Sequence, residues 1–325
     1  MKNMHAISSY PGLIADIGAT NARFALCDQS SCIEERVLKC ADYPSPVEAA
    51  KAYMEQVGCV AAKAGAFAIA GPVTGDRFQM TNHAWDFSIA ETRAALGLTH
   101  LTLMNDFKAI ALAVPHLKPE HLRRVGGSQA SQPGGTIGII GPGTGLGVAS
   151  LVWGGQSYIP VPGEGGHVTM AAKTRREFDV FETLYEKYHH ISAERVCSGK
   201  GLVNIYNALR TLEQRDDLPD LTPEQISAAA VQKSCPLCME ALDLMIGFLG
   251  RVAGDLALTL GAGGGIYLAG GICTQLGDFF LTSHFREEFD AKGRFGDYLK
   301  KIPTYLILHP FVAFIGLRSD VARNL

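Results

Sequence analysis

The order of elements along this chain predicts an α/β fold made of two related halves. Two observations carry that expectation. Short apolar runs of strand character alternate with segments of helical periodicity, the pattern of sheets covered by helices. In addition, a strand, a turn rich in glycine with a threonine after it, and a second strand occur twice, once at the start and once in the middle of the chain.

The first copy runs from Leu13-Ile14-Ala15 through Asp16-Ile17-Gly18-Ala19-Thr20-Asn21 into Arg23–Cys27. A connection this short joins antiparallel strands. A helix follows near Pro46 to Gly58. Ala66–Ala70 is continuously apolar, as a strand buried on both faces must be. Ile89–Leu96 reads as helix and Leu101–Met104 as strand, ending at Asn105-Asp106. A helix from Phe107 to Val114 stops before Pro115. The second copy is Thr136–Ile140, the turn Gly141–Gly147 and Val148–Val152. Helices are expected at Glu177–Tyr188 and Gly201–Leu212. Cys238–Leu260 is apolar on nearly every face, a central buried helix, and Gly261 can end it in a left-handed conformation. Ile266–Ala269 is a strand, Gly270-Gly271-Ile272 turns toward a helix, Tyr305–Leu308 is a late strand, and a last helix follows Pro310.

Composition narrows the function. A chain of 325 residues with 47% hydrophobic residues can build one large or two medium domains with real cores. A formal net charge of −3 and only short basic pairs, Arg123-Arg124 and Arg175-Arg176, read as solvated faces and argue against a nucleic-acid partner. There is no apolar run of membrane-spanning length, and Met-Lys-Asn-Met-His lacks the apolar run of a signal peptide, so a cytoplasmic protein without a membrane partner is expected. The eight cysteines are expected as thiols, mostly buried. Cys235-Pro236-Leu237-Cys238 has no second ligand pair at zinc-site spacing, so no zinc is expected; it reads as a helix start with Pro236 in its first turn.

The chemistry-bearing residues sit in the turns. Glycine lets backbone N–H groups approach phosphate oxygens. Neither GxxxxGK[ST] nor GxGxxG is present, which excludes a P-loop and disfavours a dinucleotide fold. A single glycine-rich turn can be only a hairpin. Two of them, plus Ala269-Gly270-Gly271-Ile272 after a strand, point to a phosphate binder. Asp16, at a strand end, can hold Mg²⁺ through water or can form an Asx turn. Thr20 and Thr144 can donate to phosphate oxygens or stabilise their turns. Asn105-Asp106 lies where a strand meets a helix, where ligands gather in open sheets; Asp106 can take a proton from an attacking hydroxyl while Asn105 holds a neighbouring one, or the pair can be a helix cap. Glu164 and His167 on a glycine-rich loop, with Glu194 further on, suit hydrogen bonding to a polyol; a salt bridge with Arg195 is the plainer role for Glu194.

Together these pieces resemble a known family. Asp16-Ile17-Gly18-Ala19-Thr20-Asn21-Ala22-Arg23, Met80-Thr81-Asn82-His83, Asn105-Asp106-Phe107, Gly143-Thr144-Gly145-Leu146-Gly147, Pro162-Gly163-Glu164-Gly165-Gly166-His167, Ser192-Ala193-Glu194-Arg195, Ala269-Gly270-Gly271-Ile272 and Lys292-Gly293-Arg294-Phe295 occur in the family's order across nearly the whole chain. The sequence is similar to bacterial glucokinases of the type without the ROK zinc motif, in the actin, hexokinase and sugar-kinase superfamily. That resemblance implies a two-domain actin-like, ribonuclease H-like fold with an interdomain cleft, the small domain being 1–114 plus 308–325 and the large one 115–307. It implies a homodimer that phosphorylates D-glucose at its 6-hydroxyl with ATP and Mg²⁺. By the same resemblance ATP phosphates would meet Ala15, Asp16, Ile17, Gly18, Ala19, Thr20 and Asn21 and Gly143, Thr144 and Gly145, with adenosine near Gly270 and Gly271. Asn105, Asp106, Glu164, His167 and Glu194 would grip the sugar, Asp106 being the base. The sequence departs from the family pattern at Ala19, where a second glycine is usual, at Pro142, which removes one N–H, and in the bulky start of the last helix at Phe311–Leu317. The other readings are a kinase for fructose, mannose or an N-acetylhexosamine, or a sugar-sensing regulator.

Overall fold

A computed structural model of the protein describes residues 10–80 and 84–325. The Met80–His83 motif therefore lies, apart from Met80, outside the described residues. The chain forms two compact units, Met1–Lys118 with His309–Leu325 and Pro119–Leu308.

In the first unit, β1 (Gly12–Ile17), β2 (Asn21–Cys27), β3 (Cys32–Lys39), β4 (Ala64–Ile69) and β7 (His100–Asn105) make one sheet in the order β3-β2-β1-β4-β7. β1 to β3 are antiparallel neighbours, and β4 and β7 continue parallel to β1. β5 (Arg77–Gln79) and β6 (Asp86–Ser88) form a separate hairpin. The helices are α1 (Pro46–Val57), α2 (Ile89–Ala95), α3 (Asp106–Ala113) and the last helix, Val312–Val321. Both faces of the sheet are covered, which is why its strands read as continuous apolar runs. Leu13, Ala15, Ile17, Phe24 and Phe67 pack with Tyr53 and Val57 of α1 on one face. Ile14, Ala25, Ala66, Ala68 and Met104 pack with Leu112 of α3 and with Phe314 and Leu317 of the last helix on the other.

The second unit repeats the plan. β9 (Ile137–Pro142), β10 (Leu146–Trp153), β11 (Tyr158–Gly163), β12 (Gly265–Leu268) and β13 (Thr304–Ile307) follow the order β11-β10-β9-β12-β13, with β8 (Leu122–Gly126) added at the β13 edge. Again the first three are antiparallel and the next two join in parallel. The internal repeat seen as two strand–turn–strand copies is thus a repeat of a five-strand order. The helices include α4 (Arg175–Tyr188), α5 (Gly199–Leu212), α6 (Pro223–Val231), α7 (Pro236–Leu260) and α8 (Gly271–Leu276). α7 is the central helix expected from its apolar faces, with Leu242, Ile246, Phe248 and Leu249 fully buried, and it ends at Gly261.

One buried ion cluster ties this unit together. Arg251 of α7 bonds Glu177 of α4 at 2.5 Å and Glu288 at 2.8 Å, all three side chains being at most 16% exposed. Arg176, expected on a solvated face, instead pairs with Glu213 and Glu240. Among the described residues no helix is long and apolar enough to cross a membrane.

Candidate active site

The parallel strands of the first sheet end level. Ile17 of β1, Ile69 of β4 and Asn105 of β7 are in register, so the segments after them share one carboxyl edge, the side of an open sheet where ligands bind. Strand alternation sends Ala15 and Ile17 into the core and leaves Asp16 half-buried on the opposite face. Asp16 stands across from Arg23 of β2, with Oδ2 3.3 Å from Nη1. Burial pushes the Asp16 carboxyl above the ordinary aspartate range, and the Arg23 charge and hydrogen bond only partly oppose it. The turn between these strands is shorter than the sequence suggested: Asp16, Ile17 and Asn21 belong to the strands. The Gly18 N–H donates to the Asn21 carbonyl at 2.9 Å, and Ala19 and Thr20 are exposed at the tip.

Asn105 is the N-cap of α3. Its Oδ1 accepts from the Lys108 N–H at 3.1 Å and its Nδ2 donates to the Gly71 carbonyl at 3.3 Å. Asn105 therefore caps the helix, and the side chain keeps a second N–H and a second lone pair for a ligand. Asp106 occupies the first helical position, where its Oδ1 accepts from the Phe107 N–H at 2.9 Å. An amide tied at both ends fixes the backbone that carries this carboxylate.

In the second unit only Gly143–Gly145 form the turn between β9 and β10; Gly141, Pro142, Leu146 and Gly147 are paired strand residues. The Gly143 N–H donates to the Gly145 carbonyl at 2.8 Å, and the Gly143 carbonyl accepts from the Gly199 N–H, at the head of α5, at 2.8 Å. Glu194 lies in a short 3₁₀ turn, Ala193–Arg195, capped by Ser192. Its Oε2 accepts from the Leu146 N–H at 2.9 Å, and a Cβ at Gly145 would collide with that same oxygen. A side chain at Gly145 would therefore push the Glu194 carboxylate off this bond. Arg195 does not pair with Glu194; its guanidinium stacks 4.0 Å from the Tyr188 ring centre.

Glu164 precedes a second 3₁₀ turn, Gly165–His167, and both Glu164 and His167 are exposed. A bridge between Thr169 and Ser192 and an Ala193 N–H to Val168 carbonyl bond at 2.9 Å join this loop to the Glu194 turn. The unit therefore brings Gly143–Gly145, Glu164, His167 and Glu194 onto connected loops. Gly270 follows β12 at φ 89°, and a Cβ there would lie 2.5 Å from the Pro142 carbonyl oxygen, so this position takes only glycine. Gly271 opens α8.

A cavity of about 530 Å³ is lined by Gly143, Thr144, Lys200, Pro223, Ser227, Gly271 and Gln275. It places the second glycine turn and Gly271 on one wall system. Lys200, Ser227 and Gln275 were not singled out from the sequence. Ser198-Gly199-Lys200-Gly201, directly after the Glu194 motif, was the available signal: a serine cap with two glycines opening a helix. Among the described residues no group of three or more His, Cys, Asp or Glu side chains is arranged to hold a metal. A lone carboxylate such as Asp16 still suits Mg²⁺, which takes one or two carboxylates with water and phosphate oxygens.

The fold matches solved structures over almost its full length. A glucokinase from an Antarctic psychrotroph aligns with TM-score 0.85 and 33% identity, covering 97% of this chain and 99% of that one. The glucokinase of Balamuthia mandrillaris, solved in complex with glucose, aligns with TM-score 0.81 over 98% of each chain; at 22% identity it speaks for the fold alone. Sheet duplication, glycine turns and these structures define an ATP-dependent sugar kinase of the two-domain actin-like fold. A family model described as glucokinase matches residues 13–324. The glucokinase of Paramagnetospirillum magneticum is 49% identical over 312 residues, 95% of this chain and 97% of the relative. The chain belongs to the glucokinase family.

Proposed function

We propose that the protein transfers the γ-phosphate of ATP to the 6-hydroxyl of D-glucose, with Asp106 as the base. The observation that carries this reading is the Asn105-Asp106 pair at the carboxyl edge of the first sheet, in register with the strand that bears Asp16. The 6-hydroxyl proton passes to the Asp106 carboxylate as the 6-oxygen bonds to the γ-phosphorus, and the bond from that phosphorus to the bridging oxygen breaks to release ADP. Little covalent work falls to the protein in such a transfer; positioning and charge neutralisation dominate.

Asn105, Glu164, His167 and Glu194 hold the sugar with Asp106. Ala15 to Asn21 and Gly143 to Gly145 cradle the phosphates, and adenosine lies near Gly270 and Gly271, where the 530 Å³ cavity offers room. Mg²⁺ would be held by Asp16 through water, and when bound it neutralises phosphate charge. The division at 114/115 and 307/308, a homodimeric assembly and a cytoplasmic location belong to the same proposal.

The test is a coupled assay for glucose 6-phosphate with purified protein, ATP and Mg²⁺, repeated with fructose, mannose and an N-acetylhexosamine. The highest kcat/KM is expected for glucose. A higher value for another sugar reassigns the substrate, and no product from any of them overturns the reading.

A further inference from the structure

Cys235-Pro236-Leu237-Cys238 takes no part in the proposed phosphoryl transfer, yet its geometry is specific. Cys235 is the N-cap of the 25-residue α7, and Cys238, at its third position, is fully buried in the core. Positions three apart on a helix face the same side with Cα atoms ~5 Å apart by helix geometry, within the ~4.4–6.8 Å that a disulfide spans. Burial, with the neighbouring Cys235 thiol second, pushes the Cys238 thiol up to about 12, so Cys238 keeps its proton.

Cys235 differs. It is half-buried and lines a cavity of about 590 Å³ together with Arg176, Glu213, Arg215 and Glu240. Arg215 lines the same cavity, and the start of a long helix favours negative charge. Cys27, Cys40, Cys59, Cys197 and Cys273 are all buried, and Cys32, the other half-buried thiol, stands across from Cys27 on β3.

We propose that Cys235 and Cys238 are a reversible redox dithiol, with Cys235 as the sulfur reached through the cavity and Cys238 as the resolving partner. A hydroperoxide is the oxidant. The Cys235 thiolate attacks one peroxide oxygen, the O–O bond breaks, and a sulfenic acid forms as hydroxide leaves. The Cys238 sulfur then attacks the Cys235 sulfur; the S–S bond forms, the S–O bond breaks, and the departing oxygen takes the Cys238 proton away in water. Two thiols are oxidised and one peroxide is reduced, and a dithiol reductant reverses the step.

The full chain would be treated with hydrogen peroxide, alkylated under denaturing conditions and cleaved after lysine and arginine. The peptide Ser234–Arg251 is expected to lose two hydrogen masses, to escape alkylation, and to regain both thiols with dithiothreitol. Cys238→Ser should trap Cys235 as a sulfenic acid captured by a cyclic dione. Cys235→Ser, a change at the cavity wall rather than in the core, should leave Cys238 as an alkylatable thiol. Alkylation of both wild-type cysteines after peroxide, direct passage to sulfinic acid without the pair closing, or loss of the Cys238 thiol in Cys235→Ser would each overturn the proposal.

Discussion

The two hairpins that open the two sheets share strand order and differ in chemistry. The β1–β2 hairpin carries its own charge: Asp16 sits in the strand, half-buried opposite Arg23, and the turn beyond it is short, with an exposed tip. The β9–β10 hairpin has no acidic residue between Ile137 and Trp153. It borrows a carboxylate from elsewhere, since Glu194 grips the Leu146 N–H and Gly199 holds the Gly143 carbonyl. A duplicated fold has thus been specialised by what approaches each turn. One half keeps a buried charge at an energetic cost, and the other fixes its backbone through neighbouring loops.

Four substitutions probe that contrast. Asp106→Ala, in the charge-bearing half, should lower kcat by ~10²–10⁴, the usual loss for a general base, with the circular dichroism and Tm unchanged; near-normal turnover removes Asp106 from its role. Arg251→Ala, in the other half, should spare the chemistry but cost ~3–5 kcal/mol of stability by stranding buried carboxylates, read by denaturant titration. Burial raises the Glu177 carboxyl, but the Arg251 and Lys173 hydrogen bonds outweigh it and hold it below the usual range. Its contribution is therefore present above the unfolded value and lost as pH falls through the folded one. The wild-type acid limb of Tm against pH should flatten in Arg251→Ala, and an unchanged limb refutes the assignment.

Asp16→Asn should weaken the Mg²⁺ dependence by ~10–100-fold, as for residues that hold a metal indirectly. Because the Asp16 carboxyl is raised in the fold, its ionised form opposes folding: stability is fullest below the unfolded value and falls as pH rises through the folded one. The same variant should therefore melt higher at neutral pH, and a lower Tm there would contradict the burial argument. Glu194→Gln keeps an oxygen for the Leu146 N–H, so only the sugar KM should rise, by up to about tenfold, the worth of roughly one charged hydrogen bond. A change confined to the ATP KM would place Glu194 with the nucleotide instead.

Most of the framework was legible because both sheets are buried on both faces and α7 is apolar nearly all round. Among the described residues, three of the five missed strands share one cause; the other two, β5 and β6, are a hairpin of three-residue strands too short to show a pattern. β3 carries Glu34, Glu35 and Arg36, β8 carries Arg123 and Arg124, and β11 carries Pro160 and Pro162. All three are edge strands, where charge and proline are tolerated and the apolar signal fades. At the site, turn lengths were overstated because paired and unpaired glycines look alike in sequence, and Asp16 falls in a strand rather than in the turn. The cavity residues Lys200, Ser227 and Gln275 come from three separate segments, and no local pattern links them.

The double engagement of Glu194 has one further consequence. One of its oxygens supports the β9–β10 turn beside Gly145, and the other takes no part in that bond. On the proposed reading, a sugar hydroxyl pulling on that second oxygen would act on the turn proposed to receive the nucleotide's tail. Glucose and ATP are, on that reading, linked ligands: whatever factor bound sugar lends to ATP affinity, bound ATP lends to sugar affinity.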